Sequence, residues 1–586
     1  MTIIIYDFEV FKYDTLLGTI IIDDSGETLF QTWDLNEIKS FYELYKDAIW
    51  IGHNNWYYDD LILEAIVNNK NPFEASKAII NSKVNNKCRM HLLSYDLMNS
   101  APRTFGLKLS ELLVGKSIDT TEVDFNLDRK LNEEEKLLTE KYNQSDLNQT
   151  IYNFKKFYDR FKLRLDIISE FNLPIRTNLS VTGTQLAANV LKAKRDPSLI
   201  YQRIAPKLYD NLRLENEELK EFYLSEKFRI GESKIIKIGN AEITFAAGGA
   251  HSAEKKYHSQ KLLYLDVSGY YNLIMINYDL LPRTMDEESK KLYEYMYHEQ
   301  LRLKKINPVK RAMYKTILLS VFGAMNNEHT DFYDPWKALL VTTTGELFIA
   351  DLIEKLKDYC TIVQTNTDGL MVEPFDWQNE EKIVEIVDEW QKRTGFVIKR
   401  EYIYDLFQRD VNCYVYKDDK GEIVVKGEAV KNYDIGDKAY ATCDFFNCKE
   451  PPIVAQGIVN SLLNNILPEN FVEQNKENYI LFQYGCRKNT YDYLTYDLVN
   501  KNTFSASSMI IPGGICRVFA SKDNENIGMI NKHKFKNGKE SIAKVASLPA
   551  NVFIYNKDLT ENIDLKDKID YQYYVERIYE RLSEFI

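Results

Sequence analysis

Carboxylates fall into two groups along this chain, and their spacing suits phosphodiester chemistry. The first group is Asp7 and Glu9 in IIIYDFEVF, Asp59 in GHNNWYYDD, and Tyr142 with Asp146 in KYNQSDLNQT. The second is Asp266 in LYLDVSGYYNLIM and Asp368 in IVQTNTDGLMVE, with a Lys-rich segment between them. Either group could hold a pair of divalent cations about 4 Å apart, the device with which enzymes make and break phosphodiester bonds.

These residue types need particular elements to aim them. In a strand, Asp7 and Glu9 at i and i+2 share one face and can reach one metal. An acid-x-acid pair alone says little, since on the order of a dozen should occur by chance in this length. Asp59 follows the strand-like AIWIGHNN and opens the apolar helix DDLILEAIV. Tyr142 and Asp146 are one helical turn apart, so phenol and carboxylate project from one face. Asp266 ends the apolar run KLLYLD before a turn and helix, and Asp368 sits in an Asn-Thr-Asp-Gly turn between IVQT and LMVE. Arg311 and Lys315 are also one helical turn apart and could face one phosphate chain.

The rest of the chain divides by pattern. Residues 1–60 alternate β-rich runs with polar turns, as a mixed sheet would, and 131–170 have helical spacing. The stretch 166–240 reads as a mainly helical connector, interrupted by Pro174, Pro197 and Pro206. A second α/β region, 241–440, begins at AEITFAAGGAHSA, with strands at KLLYLDVSG, CTIVQTNT and GLMVEPF and helices over roughly 286–324 and 344–358. Residues 441–586 mix helix and strand without a catalytic signature. At 586 residues the chain should split into several domains.

Composition excludes some classes. No apolar run approaches the ~20 residues that span a bilayer, and MTIIIYDFEV lacks the features of a secretory signal, so a cytoplasmic protein is expected, in a host cell if viral. The seven cysteines (88, 360, 413, 443, 448, 486, 516) are never spaced as CxxC, which fits a reducing compartment and no structural zinc. Net charge is −12, but nucleic-acid binding follows the local field. Residues 301–315 carry six Lys or Arg and no acid, and 531–544 carry five Lys against one Glu.

The first group of segments resembles the three motifs of the DEDD-type 3′–5′ exonuclease domain of family B DNA polymerases. Asp7-Phe8-Glu9 matches the first, Asn55 to Asp59 the second, and Tyr142 to Asp146 the third. The resemblance implies Asp7, Glu9, Asp59 and Asp146 as metal ligands, Tyr142 as the water-orienting residue, and Asn55 and Tyr58 as contacts to a single-stranded 3′-end. DVSGYYNLIM resembles the first palm motif, with Asp266 as ligand and Tyr271 as the sugar-sensing tyrosine. Lys315 to Gly323, including Ser320, resembles the nucleotide-gripping fingers motif, and Thr365 to Gly369 the second palm motif with Asp368 as ligand. Phe245 to Gly249 matches the element linking the two activities, and Tyr414 with Lys426-Gly427 falls near the primer-gripping region. The resemblance therefore implies an α/β multidomain chain: a ribonuclease-H-like exonuclease domain (1–165), the connector, a palm with fingers at about 284–324, and a thumb and C-terminal region (441–586).

The chain departs from the family pattern at Leu319 and Phe322 in the fingers motif, at Asn366 in the second palm motif, and at Asn412 where a lysine is common. Asn366 removes one negative charge beside the metals. Asp266 to Lys315 spans 49 positions and Gly323 to Asp368 spans 45, which leaves little room for the insertions of protein-primed phage enzymes. The expected protein is thus a phage-type DNA polymerase with proofreading. It would use two Mg²⁺ per site, with Mn²⁺ as a substitute, and act on primer-template DNA and dNTPs beside a helicase or other replication proteins, away from membranes. The alternatives are an exonuclease with an inactive palm that only binds DNA, and a catalytically silent DNA-binding factor.

Overall fold

Ile3–Val10, rich in β-branched and aromatic residues, forms the central strand β1 of a five-stranded sheet in the computed structural model, which describes residues 2–81, 88–120, 123–226, 228–229, 231–442, 450–561 and 563–586. Cys443 and Cys448 lie outside those residues. The protein is a mixed α/β chain with several sheets, in two compact units. The first comprises Met1–Thr182, Lys431–Gly457 and Ile466–Ile578; the second comprises Gly183–Val430, Ile458–Asn465 and Tyr579–Ile586.

The N-terminal elements after β1 are β2 (Thr15–Asp23), β3 (Gly26–Thr32), α1 (Leu35–Tyr45), β4 (Ile49–Gly52), α2 (Asp59–Val67), α3 (Pro72–Ile80), β5 (Leu93–Asp96), α4 (Leu97–Ser100), α5 (Leu107–Leu113), α6 (Glu133–Lys156), α7 (Tyr158–Glu170) and α8 (Ile175–Leu179). Sheet order is β3-β2-β1-β4-β5, antiparallel through β3-β2-β1 and parallel through β1-β4-β5. Both faces of β1 are covered. Ile4, Tyr6, Phe8 and Val10 pack with Ile38, Phe41, Trp50, Ile62 and Ile66 of the α1–α2 side. The alternate residues Ile3, Ile5, Asp7 and Glu9 point the other way, where α6 packs.

Next come α9 (Gly183–Val190), α10 (Glu217–Leu224), β6 (Lys234–Ile238), β7 (Ala241–Phe245), β8 (Ala250–Ala253), β9 (Tyr257–Val267), α11 (Tyr270–Asn277), α12 (Glu287–Arg302), α13 (Pro308–Ala324), α14 (Pro335–Leu356), β10 (Cys360–Thr365), β11 (Gly369–Pro374), α15 (Glu380–Thr394), β12 (Ile398–Asp410), β13 (Cys413–Lys417) and β14 (Ile423–Lys426). Strand β6 falls inside the stretch read as a helical connector; its hairpin with β7 begins the second α/β region earlier than the sequence pattern suggested. The nine-stranded sheet runs β14-β13-β12-β9-β11-β10-β8-β7-β6. Helix α14 fills the core beside it, buried at almost every position, so it carries no amphipathic period.

The C-terminal elements are α16 (Asp437–Thr442), α17 (Pro452–Asn464), α18 (Pro468–Asn475), β15 (Tyr484–Arg487), β16 (Tyr493–Asn500), β17 (Ala506–Ile510), β18 (Ile515–Ala520), β19 (Asn526–Lys536), β20 (Lys539–Lys544), β21 (Val552–Ile554) and α19 (Tyr571–Leu582). They form a three-stranded sheet, β15-β18-β21, and a four-stranded one, β17-β16-β19-β20. Arg517 of β18 is wholly buried; it donates to Gln483 Oε1 (2.8 Å) and to the carbonyls of Lys557 (2.7 Å), Lys116 (2.6 Å) and Leu112 (3.2 Å). That guanidinium ties the end of α5 to this sheet. Among the described residues no helix is long and apolar enough to cross a membrane.

Candidate active sites

The first centre forms where β1 and β4 part. Their parallel pairing covers only Ile3, Ile4 and Ile5 against Ile49, Trp50 and Ile51, so Asp7 and Glu9 lie beyond the end of β4, at a crevice between diverging strands. Every position of β1 is buried except Asp7, which is partly exposed. After β4 the chain turns sharply at Gly52, where a Cβ would sit 2.6 Å from Asn55 Cβ. Asp96, at the end of β5, holds that turn by accepting from the backbone N–H of Asn54 (3.0 Å) and Trp56 (3.3 Å). Helix α2 then starts at Asp59, whose Oδ1 accepts from the Phe8 backbone N–H at 3.1 Å. The sheet strand between Asp7 and Glu9 thus fixes Asp59 beside both.

Helix α6 closes the centre. Carboxylate oxygens of Asp7, Glu9 and Asp146 lie within 4.8 Å of one another. Asn143, one turn before, donates to Asp7 Oδ2 at 3.0 Å. Tyr142 lies in the same cluster, hydrogen-bonded to Asp146. So many acids out of water resist ionisation. Desolvation and the Asp146 charge push Asp7 up to about 7, against the pull of Lys108 and Asn143. Burial, then Asp7, Asp146 and Asp59, hold Glu9 well above the usual carboxylate range. Burial and Asp7 raise Asp59, and burial raises Asp146 against the opposing pull of Lys108. Burial and the three neighbouring carboxylates raise the Tyr142 phenol, so it stays protonated and able to donate.

Lys108 was not foreseen. It reaches from α5 to pair with Asp146 and, at 3.0 Å, with Glu111, and its ammonium stands 4.7 Å from the centre of the Tyr142 ring. Burial works against its charge, yet Asp146 and Glu111 outweigh it and raise its pKa. Its sequence signal is slight: a Lys and a Glu three apart in an apolar helix, far from Asp146 in the chain. Asn55 lies just outside the cluster with 0% exposure, and its amide donates to Tyr6 Oη (3.2 Å), Asp60 (2.9 Å) and Ser94 Oγ (2.8 Å). Tyr58 is half-buried, its hydroxyl 2.8 Å from Ser76 Oγ.

The second centre lies on the nine-stranded sheet. Asp266 of β9 stands directly opposite Gly369 of β11 and Lys399 of β12. The Val267 N–H donates to the Asp368 carbonyl at 2.7 Å, and the Asn366 N–H to the Gly369 carbonyl at 2.8 Å, so the turn is clamped on both sides. Burial and then Asp368 raise the Asp266 pKa, while Lys399 opposes them. Burial raises Asp368, opposed by Lys426. Lys426 pairs in register with Tyr414 and stands 5.9 Å from its ring centre. Lys399 is a second cation that sequence reasoning missed.

The flanking elements line this centre. Tyr271 on α11 meets the Phe322 ring of α13 at 4.2 Å between centroids, and α11 packs closely on α14 at Gly345, where a Cβ would lie 3.2 Å from Tyr270 Cε1 and 3.3 Å from Ile274 Cδ1. On α13, Arg311 and Lys315 precede Phe322 by eleven and seven residues and share its helical face, Lys315 about 10 Å along the axis from it. Arg311 is half-buried and Lys315 exposed; neither has an ion-pair partner among the described residues. Ser320 is half-buried and its hydroxyl donates to the Thr316 carbonyl at 2.8 Å.

The Phe245–Gly249 loop is held by an unforeseen carboxylate. Glu346, inside α14, accepts from the N–H groups of Gly248 (2.8 Å) and Gly249 (2.7 Å) through one oxygen and from Tyr223 Oη through the other. Gly249 has φ +142°, and a Cβ there would lie 2.7 Å from Thr367 Oγ1. Loop and Asp368 turn therefore fit against each other through a glycine.

Both centres offer hard oxygen donors of the kind that suit Mg²⁺ or Mn²⁺. Among the described residues, Asp7, Glu9 and Asp146 are the one group of three or more His, Cys, Asp or Glu side chains placed to share an ion; Asp266 and Asp368 are near enough for the charge of Asp368 to act on Asp266.

No protein-family model matches the chain, and no curated protein matches it in sequence. Among solved structures it is similar to the family B DNA polymerase from the hyperthermophilic archaeon Pyrobaculum calidifontis, with 12% identity over 100% of this chain and 78% of that one and a TM-score of 0.43. At that identity and score the likeness carries no assignment of function.

Proposed function

We propose that the protein is a DNA-directed DNA polymerase with a 3′–5′ exonuclease, of bacteriophage type. The observation that carries this reading is the presence of two separate carboxylate centres on two sheets, Asp7/Glu9/Asp59/Asp146 and Asp266/Asp368. The strand order β3-β2-β1-β4-β5 supports a ribonuclease-H-like exonuclease domain, and the nine-stranded sheet, together with α12 and α13 packed on each other, supports a palm with fingers. On this reading the two C-terminal sheets are the thumb.

Asp7, Glu9, Asp59 and Asp146 would hold the metals of the hydrolytic centre, and Asp266 with Asp368 those of the synthetic one. When bound, such ions activate the attacking oxygen and neutralise charge on the leaving oxygen. In the first centre the Tyr142 hydroxyl orients a water for attack on the terminal phosphodiester; the P–O3′ bond breaks and a nucleoside 5′-monophosphate leaves. Asn143 and the Phe8 N–H fix Asp7 and Asp59, while Asn55 and Tyr58 shape the pocket for the strand end. In the second centre Arg311 and Lys315 bind the triphosphate, Ser320 and Lys426 contact substrate, and Tyr271 lies under the sugar, where a 2′-hydroxyl would clash. The primer 3′-oxygen attacks the α-phosphate, the bond to the β-phosphate breaks and pyrophosphate leaves. Tyr414 and Lys426 grip the primer side.

Purified protein, a labelled primer-template and Mg²⁺ test the reading. Extension with dNTPs and 3′-shortening without them is expected. Shortening under both conditions would instead make the protein an exonuclease with an inactive palm.

A further inference from the structure

A cavity of about 360 Å³ in the first unit belongs to neither carboxylate centre. Its size falls within the range of small-ligand sites, roughly 300–1,000 Å³. Leu109, Leu112 and Leu113 of α5 supply an apolar wall, and Asn432, Arg487 and Lys532 supply polar groups. Arg487 and Lys532 are partly exposed and have no acidic partner among the described residues; Lys532 stands 5.2 Å from the Tyr491 ring centre. Glu450, the acid in the lining, is bound by Arg577, with Nε at 3.2 Å. The cavity's uncompensated charge is therefore positive.

Asn432 adds a second demand. It is 7% exposed, and its amide N–H donates to the Glu450 carbonyl at 2.6 Å, which fixes which end of the side chain is oxygen. Its Oδ1 is buried with no donor. A buried acceptor left unpaired is costly, and a ligand N–H would satisfy it. The lining thus asks for an anion, an N–H edge and a flat apolar body together.

We propose that this cavity binds a nucleotide, with its phosphate on Arg487 and Lys532, its base edge donating to Asn432 Oδ1, and its base face on the leucines of α5. The choice of a nucleotide among such ligands rests on the hydrolytic reading above, since hydrolysis yields nucleoside monophosphates from a single strand. The same helix carries Lys108, which pairs with Asp146 and with Glu111, and Arg517 pins its end. One short helix therefore serves both the cavity and the hydrolytic centre. The ligand is either the free monophosphate or a nucleotide still within a strand.

Equilibrium binding of dAMP and of a short oligodeoxyadenylate, measured in EDTA with the Asp7→Ala protein so that nothing is cut, separates these sources. Arg487→Ala with Lys532→Ala should weaken binding roughly tenfold or more. Ser547→Trp, which fills the cavity from an exposed position, should do the same without disturbing the fold. Loss with dAMP assigns a free-nucleotide site; loss with the oligonucleotide alone assigns a strand site. Unchanged binding of both probes in every variant overturns the proposal. If the wild-type protein with Mg²⁺ releases no monophosphate while these binding losses are seen, the hydrolytic reading fails and the cavity stands.

Discussion

Asn143 donates its side-chain amide to Asp7 Oδ2 at 3.0 Å, and it reaches that carboxylate only because residue 18 on the neighbouring strand has no side chain. A Cβ on Gly18 would lie 1.7 Å from Asn143 Oδ1 and 3.0 Å from Leu147 Cδ1. Gly18→Ala is therefore expected to push α6 or Asn143 away from β1, at a cost of about 1–3 kcal/mol for an overpacked core. Degradation of single-stranded DNA should fall by tenfold or more while primer extension continues, since Gly18 lies in the first unit. Thermal unfolding and the two activity assays check this; unimpaired degradation would mean that Asn143 does not position Asp7.

Glu346 gives a stability effect with a defined sign. Burial raises its pKa from 4.5 to about 7, against hydrogen bonds from Gly249, Gly248, Ala247 and Ala246. The folded protein then binds more protons than the unfolded chain between those values. Stability from this group is fully present below pH 4.5 and is lost as pH rises through about 7. The span is on the order of 3 kcal/mol. Glutamine can keep the Gly248 and Gly249 hydrogen bonds through its oxygen and donate to Tyr223. Glu346→Gln should therefore match or exceed the wild type in urea resistance at pH 8 and be the less stable of the two at pH 4.5. A wild-type-minus-variant difference that does not change with pH would refute this account.

Gly427 supports the second centre from outside. Its φ is +105°, and a Cβ would meet Cys413 Cα at 2.7 Å and the Asn412 carbonyl at 2.8 Å, both backbone. Since backbone cannot step aside like a side chain, Gly427→Ala should cost about 2 kcal/mol or more and shift Lys426 away from Asp368. The expected outcome is weaker primer extension with single-strand degradation retained, read in the same two assays.

The carboxylates were legible because their spacing matches an element. Asp7 and Glu9 share a strand face, Tyr142 and Asp146 a helical turn, and Asp368 a tight turn between apolar strands, so local periodicity alone sets their directions. What the sequence left hidden are contacts between elements far apart in the chain. Lys108 meets Asp146 only through the packing of α5 on α6. Glu346 looks like an interruption in an apolar run, and only the fold shows that it caps a glycine loop. The resemblance implies Asn55 as a contact to a strand end, and only the fold shows that it lies at 0% exposure with its amide donated inward. The C-terminal sheets were foreseen only as mixed structure. Strands β17 and β20 are exposed at every position, so they carry no alternation from which pairing could be read.

The central claim is that the two carboxylate centres do different chemistry, and paired single-site variants test it most directly. Asp7→Ala and Asp368→Ala are each to be assayed for extension of a primer-template with dNTPs and for 3′-shortening of a single strand without them, with folding checked by circular dichroism. The expected result is a crossed loss: Asp368→Ala abolishes extension and keeps shortening, and Asp7→Ala abolishes shortening and keeps extension. Either variant losing both activities while folded would contradict the two-centre account.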